Sequence, residues 1–179
     1  YVSLERRVAC NQGGIVTLLE ASGIDKTFTY KGRSIFACKN CHICVRAGEI
    51  VALIGQSGSG KTTLASILSG YVKADKANIK FQGKEVSPHE LTCRPKGIQM
   101  IFQDPFSSIN DGFTVEQAVM EPLDILKLYS PQERKERAKK ALSAVELSIG
   151  NDFLQRRCFT LSGGQRQRIS IARSLILEP

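Results

Sequence analysis

Nine consecutive residues, Gly55-Gln56-Ser57-Gly58-Ser59-Gly60-Lys61-Thr62-Thr63, carry the most specific chemistry in the chain. They fill every position of G-x-x-x-x-G-K-[ST], a loop whose backbone N–H groups turn inward to hold phosphate oxygens. Gly55, Gly58 and Gly60 permit backbone angles and a close approach that a Cβ would block. The helix expected to follow adds its first N–H groups and the positive end of its dipole. Lys61 is then placed to reach the β- and γ-phosphates of a nucleoside triphosphate, and the Thr62 hydroxyl to ligate Mg²⁺. A second helix start stands at Leu161-Ser162-Gly163-Gly164-Gln165-Arg166-Gln167-Arg168. There a serine cap and two glycines offer exposed N–H groups to an anion. Between the two, Gln99-Met100-Ile101-Phe102-Gln103 ends on a side-chain amide that can ligate a hard cation through oxygen and donate through nitrogen.

These motifs need elements to hold them. Ile50-Val51-Ala52-Leu53-Ile54 is a short aliphatic run of the kind buried on both faces of a parallel sheet, and it leads into the glycine loop. Residues 62–68 read as the helix after the loop, ending near Gly70. Extended segments are expected from Leu18, with a turn near residues 22–25, and over 34–45, 77–83 and 97–103. Helices are expected over 113–129, over 131–145 with Ser130 as cap and Pro131 in the first turn, and from Ser162 through Leu177. No internal repeat is visible, which excludes solenoids and propellers.

Composition narrows the class. A hydrophobic fraction of 42% and a charged fraction of 23% fit a globular domain, and no apolar run nears the roughly 18 residues of a membrane span. Residues 1–17 show no signal-peptide pattern and read as a linker or ragged terminus. The 25 basic against 17 acidic residues give +8, but the basic clusters at Arg134–Lys140 and Arg166–Arg173 lie in mixed-charge or motif-bearing helices, so no nucleic acid is expected as a partner. Cys38, Cys41 and Cys44 form C-x-x-C-x-x-C, a spacing shared with zinc and iron–sulfur sites. On a regular strand Cys38 and Cys44 share one face and Cys41 takes the other, so the expectation is three reduced thiols filling strand positions.

Taken together and in this order, the two glycine-rich motifs and the Gln103 string resemble those of ATP-binding cassette (ABC) ATPases. The resemblance covers roughly residues 18–179, and Ile98–Pro122 (IQMIFQDPFSSINDGFTVEQAVMEP) is most similar to ATPase subunits of peptide and nickel importers. It implies an α/β P-loop NTPase fold, C-terminally incomplete, with a parallel core sheet and flanking helices, an antiparallel β subdomain, and a helical subdomain at about 104–160. It also implies that Leu161, Ser162, Gly163, Gly164 and Gln165 address the γ-phosphate held by a second such subunit. Gln103 would reach Mg²⁺ and the attacking water. Tyr30 would stack on adenine, with Phe28 and Phe36 as competitors for that role. The cofactors implied are ATP and Mg²⁺. The partners implied are a second ATPase subunit, transmembrane permease subunits and, indirectly, a solute-binding protein. The place implied is the cytoplasm, at the inner face of the membrane.

Two features depart from that pattern. The importer subunits commonly carry Asn-Pro-Arg where this chain reads Asn110-Asp111-Gly112, at the expected contact with membrane subunits. The family's Mg²⁺-holding aspartate, water-polarising glutamate and phosphate-contacting histidine follow the signature, beyond Pro179, and His42 and His89 both precede it. The expectation is therefore a fragment of a longer product, with little ATPase activity alone and an exposed sheet edge that lowers solubility. Two other readings stay open at this point: a soluble ABC ATPase acting on nucleic acid or ribosomes, and a catalytically inactive binding module.

Overall fold

The computed structural model describes residues 17–87, 90 and 95–179, so the linker expected at 1–17, apart from Thr17, and His89 lie outside the described residues. The chain divides into two compact units between Thr92 and Cys93.

The first unit is built on a four-stranded sheet in the order β2-β1-β3-β4, with β1 Thr17–Tyr30, β2 Arg33–Arg46, β3 Lys76–Phe81 and β4 Lys84–Glu85. All three pairings are antiparallel. Helix α1 (Lys61–Leu68) packs on β2 and buries Leu64, Ile67 and Leu68. These side chains join Leu19, Ala21, Ile24, Cys38, Cys41, Ile79 and Phe81 in the buried apolar set of this unit.

The long β1–β2 hairpin is not a regular ladder. From Thr27↔Phe36 to Ile24↔Cys41, β2 advances two residues more than β1; from Ile24↔Cys41 to Thr17↔Arg46, β1 advances two more than β2. The slips therefore cancel, and the two ends of the hairpin share one register. Asn40 (φ 48°) and Gly23 (φ 61°) take left-handed angles at the irregularities, as bulges require. The turn expected near residues 22–25 is this irregularity inside a continuous strand. The bulges also overturn the alternation expected of the cysteines. Lys26 and Ile24 share a face and pair with Cys38 and Cys41 respectively, so both thiols face the same side. Both are 2% exposed. Cys44 is half-buried, and none of Cys38, Cys41, Cys44 and Cys158 is in a disulfide.

The second unit is helical: α2 (Pro105–Ser108), α3 (Val115–Ile125), α4 (Pro131–Ala144), α5 (Asn151–Leu154), a 3₁₀ turn (Cys158–Thr160) and α6 (Gly163–Leu175). Its core sets Val115, Val119 and Leu123 of α3, Ala138 and Leu142 of α4, and Ile169 and Ala172 of α6 against one another. Capping boxes start α3 (Thr114 with Gln117) and α4 (Ser130 with Glu133). Arg134 bridges to Asp124 at 2.6 Å, and Arg137 lies over the Tyr129 ring at 3.8 Å.

Two strand expectations fail here. Neither Ile50–Ile54 nor residues 97–103 belongs to a ladder among the described residues, so the expected parallel core sheet is not formed by them. Ile50 is 98% and Ile54 90% exposed. A strand buried on both faces needs a hydrogen-bonded neighbour on each side. The apolar pattern is present in these runs, but the ladder partners are not among the described residues.

Leu142, fully buried between helices, gives a direct test of the second core. Leu142→Ala is expected to lower unfolding free energy by about 2–5 kcal/mol in urea titration. A pH test falls on Asp75, whose carboxylate takes the Thr27 N–H at 2.7 Å and Lys26 Nζ at 3.1 Å. The backbone bond, then the lysine, hold its pKa below the usual carboxylate range. A lowered folded pKa gives stability that is present above the ordinary carboxylate range and lost as pH falls through the lowered value. Asp75→Asn should flatten that acid limb of a stability-against-pH curve by lowering the neutral plateau toward the acid value.

Candidate functional site

The glycine loop, all in the first unit, is shaped by its own residues. Gly58 (φ 78°) and Gly60 (φ 95°) take left-handed angles, and a Cβ on Gly55 would stand 2.9 Å from Ser59 Oγ. Ser59 N–H donates to the Gln56 carbonyl, closing the turn at 3.2 Å. Lys61 folds back over this turn. Its ammonium donates to the carbonyls of Gly55 (2.8 Å) and Gln56 (2.6 Å) and to Ser59 Oγ (3.3 Å). The cation that the motif assigns to phosphate is thus lodged in the loop's mouth. Residues 54–58 and Thr62 are exposed, and Ser59, Gly60, Lys61 and Thr63 are half-buried.

Helix α1 differs from the other long helices in how it begins. Its N-cap is Gly60, and no side chain caps it. The other described helices of eight or more residues, α3, α4 and α6, all start with a complete capping box. The first N–H groups of a helix lack intrahelical acceptors, and in α1 no side chain of the N-cap supplies one. Water or an anion can meet such groups.

In the second unit, Ser162 caps α6. Gln165 N–H donates to Ser162 Oγ at 3.3 Å, and Gln165 Oε1 accepts from Ser162 N–H at 3.1 Å. Gln165 is therefore engaged in the capping box, a use that its place in the signature did not announce, although S-x-x-Q is a capping-box spacing. Leu161 is buried and anchors the turn, whereas Ser162, Gly163 and Gly164 are exposed. A Cβ at Gly164 would meet nothing within 4 Å, and one at Gly163 would only touch the Phe106 ring at 3.7 Å. Internal packing therefore requires neither glycine. Bare, exposed glycines at a helix start leave room for a group arriving from outside.

Gln103 is exposed, in a bend of the second unit one residue before Asp104, which caps α2 through the Phe106 N–H at 2.9 Å. It does not close a strand, because residues 97–103 lie outside any ladder. The aromatic candidates sit at the free end of the β1–β2 hairpin. Tyr30 is 64%, Phe36 59% and Phe28 41% exposed, so none is a core residue. Register places Phe28 and Tyr30 on one face and Phe36, opposite Thr27, on the other. Lys31 and Lys26 lie 5.4 and 5.3 Å from the Tyr30 and Phe28 rings.

The described residues hold no group of three or more His, Cys, Asp or Glu placed to take a metal ion. Burial, and then the neighbouring Cys41, push the Cys38 thiol up to about 11. A thiol so far from ionisation is a poor nucleophile and a poor metal ligand.

The chain's similarities agree with this geometry. Residues 38–179 match the ABC transporter family. The chain is 39% identical over 165 residues to a Brucella ovis protein named peptide import ATP-binding protein, covering 90% of this chain and 51% of that one. It is 35% identical to the oligopeptide transport ATP-binding protein OppF of Streptococcus pyogenes, covering 90% of this chain and 54% of that one. The chain thus spans about half the length of the curated relatives it matches. Among solved structures it resembles the dimeric ATP-binding cassette MJ0796 bound to ADP and Pi, with 28% identity and a TM-score of 0.76 over 90% of this chain and 71% of that one. CbiO1 of Clostridium perfringens, part of the ABC transporter complex cbiONQ, gives 25% identity and 0.72 over 92% and 63%.

The two glycine sites separate on stability. Gly60→Ala, forced to a φ of 95°, should cost about 1–2 kcal/mol in chemical denaturation. Gly164→Ala, with open space around it, should leave stability level or raise it by up to about 1 kcal/mol. With its phosphate-loop geometry and its match across residues 38–179, this chain belongs to the ABC transporter family.

Proposed function

We propose that the chain is the ATP-binding part of an importer subunit, which couples ATP binding and hydrolysis to uptake of a small solute of the peptide class through separate membrane permeases. The observation that carries this reading is the pairing of two helix starts of opposite design. The first, α1, has a glycine cap, no side-chain capping bond and a lysine lodged in its loop. The second, α6, is capped by its own serine yet presents two exposed glycines that the fold does not need. The first suits phosphates bound within the chain, and the second suits a phosphate carried by another subunit.

In this reading residues Gly55–Thr63 hold the triphosphate of ATP, and Lys61 exchanges carbonyl partners for β- and γ-phosphate oxygens. Mg²⁺ would be held by the Thr62 hydroxyl together with phosphate oxygens. A site of one or two protein oxygens is normal for this ion, which keeps waters and substrate oxygens as its other ligands. The exposed Thr62 hydroxyl fits that role. Tyr30 would stack on adenine through its exposed ring. Leu161, Ser162, Gly163, Gly164 and Gln165 would form the surface offered to a second ATPase subunit, with Gln165 acting through the cap it makes. Within residues 1–179 we assign no general base for hydrolysis. No described helix is long and apolar enough to cross a membrane, and the reading places the chain on the inner face of the membrane through its permease partners. The names of the relatives support peptides over nickel as the solute class.

Lys61→Ala decides the central assignment. Calorimetric titration of Mg-ATP should show binding abolished, or weakened by at least about a hundredfold, the loss of one strong charge-assisted contact set. Unchanged affinity would remove the phosphate loop as the nucleotide site.

A further inference from the structure

The departure at Asn110-Asp111-Gly112 has a structural correlate. Arg166, in the first turn of α6, is only 4% exposed, and its Nη1 lies 2.5 Å from Asp111 Oδ1. Its guanidinium carbon lies 4.6 Å from the centroid of the Phe106 ring, the same ring that faces Gly163. Its Nε is buried with no hydrogen-bond partner among the described residues. Among the described residues Asp111 thus supplies the one ion pair of a nearly buried cation, although its own side chain is 61% exposed.

Two more arginines hold the same segment. Arg173 of α6 donates to the Ser108 carbonyl and pairs with Glu121 at 3.2 Å; Arg157 donates to the Gly112 carbonyl. The arginine contacts at Ser108 and Gly112 are to backbone, so they carry no side-chain identity. Only the Asp111 contact depends on which residue stands there. An uncompensated cation in a first helical turn also opposes the positive end of the helix dipole, and a buried charge stripped of its partner is strongly unfavourable. The Asp111 carboxylate answers both costs at one point.

We propose that Asp111 is a positioning residue for the signature helix: by neutralising and orienting the buried Arg166, it holds the first turn of α6 so that Ser162, Gly163 and Gly164 can meet the phosphate of a partner's nucleotide. The proposal rests on the reading of α6 as a surface for a second subunit. Asp111 touches no nucleotide in it, and the phosphate loop is not part of it. Its exposed flank makes it a point at which a contact from outside could release Arg166 and so loosen the grip on ATP.

The test uses the intact chain and two variants, Asp111→Asn, which removes the charge, and Asp111→Glu, which restores it. Self-association driven by Mg-ATP is measured by analytical ultracentrifugation, with single-chain ATP affinity measured separately. Asp111→Asn should raise the half-association concentration by about tenfold while ATP affinity stays within about twofold, and Asp111→Glu should recover most of the loss. An unchanged association midpoint in Asp111→Asn, or an equal loss in Asp111→Glu, overturns the proposal. Amide hydrogen exchange without nucleotide separates this from the functional reading. Exchange at Gly164–Arg166 should quicken by about tenfold in Asp111→Asn and return in Asp111→Glu. Failure of the unsubstituted chain to associate with ATP would overturn the two-subunit reading, and exchange rates indifferent to Asp111 would overturn the positioning role by themselves. A poorly folded Asp111→Asn would be caught by circular dichroism. Asp111→Ser, which also removes the charge, then serves in its place with the same expected directions.

Discussion

A helix begins with N–H groups that have no carbonyl to meet, and the described long helices of this chain meet that demand in different ways. Where the helix is scaffold, as in α3 and α4, Thr114 with Gln117 and Ser130 with Glu133 close the start completely. Where it is α1, the chain places a left-handed glycine and no side-chain cap. The left-handed angles at Gly58 and Gly60, which glycine adopts freely, accompany the open start and the exposed loop. Helix α6 takes an intermediate course. Its serine box satisfies part of the demand while two glycines keep the approach clear.

Each start has a scaffold within its own unit. Helix α1 is held by the apolar contacts of Leu64 and Ile67 within the sheet unit. Helix α6 is held by Ile169 and Ala172 in the helical core and by Arg166 and Arg173 reaching the 106–112 segment. In each case the buried face fixes the helix and leaves its first turn for chemistry. A rigid element that presents an open terminus is a more accurate support for a phosphate than a loop alone.

Local signals carried most of the reading from sequence. The phosphate loop, the helix over residues 61–68 and the serine caps of α4 and α6 are set by residues a few positions apart, so they were legible. Reading failed where a partner distant in sequence decides. Ile50–Ile54 has the composition of a central strand, but a strand exists only in its ladder, and no described residue pairs with it. Cys41 was assigned to the wrong face because alternation assumes one residue per step, and the register around Asn40 breaks that assumption. The ion pair of Arg166 with Asp111 spans 55 positions of sequence, and no spacing rule foretells it. The aromatic candidates fell between these cases. Their place before the loop was legible, whereas their separation onto two faces needed the register of the hairpin.

The irregularities of that hairpin cancel, and this bears on how the chain tolerates change in length. Loss or gain of one residue at an exposed loop is usually absorbed nearby. Around Asn40 the change is not local, because the two surplus residues of β2 are matched by one surplus residue of β1 near Gly23 and one between Thr17 and Leu19, and the strand ends meet in register at Thr17 and Arg46 only when all are present. A deletion on one strand alone would displace Arg46, whose N–H is bound by Glu49 in the turn that leads toward the glycine loop. Paired deletions, one on each strand, would leave that turn in place and alter only which side chains face the core. The irregularities of the two strands are thus matched in geometry: a single insertion or deletion there shifts the approach to the glycine loop, and a compensated one does not.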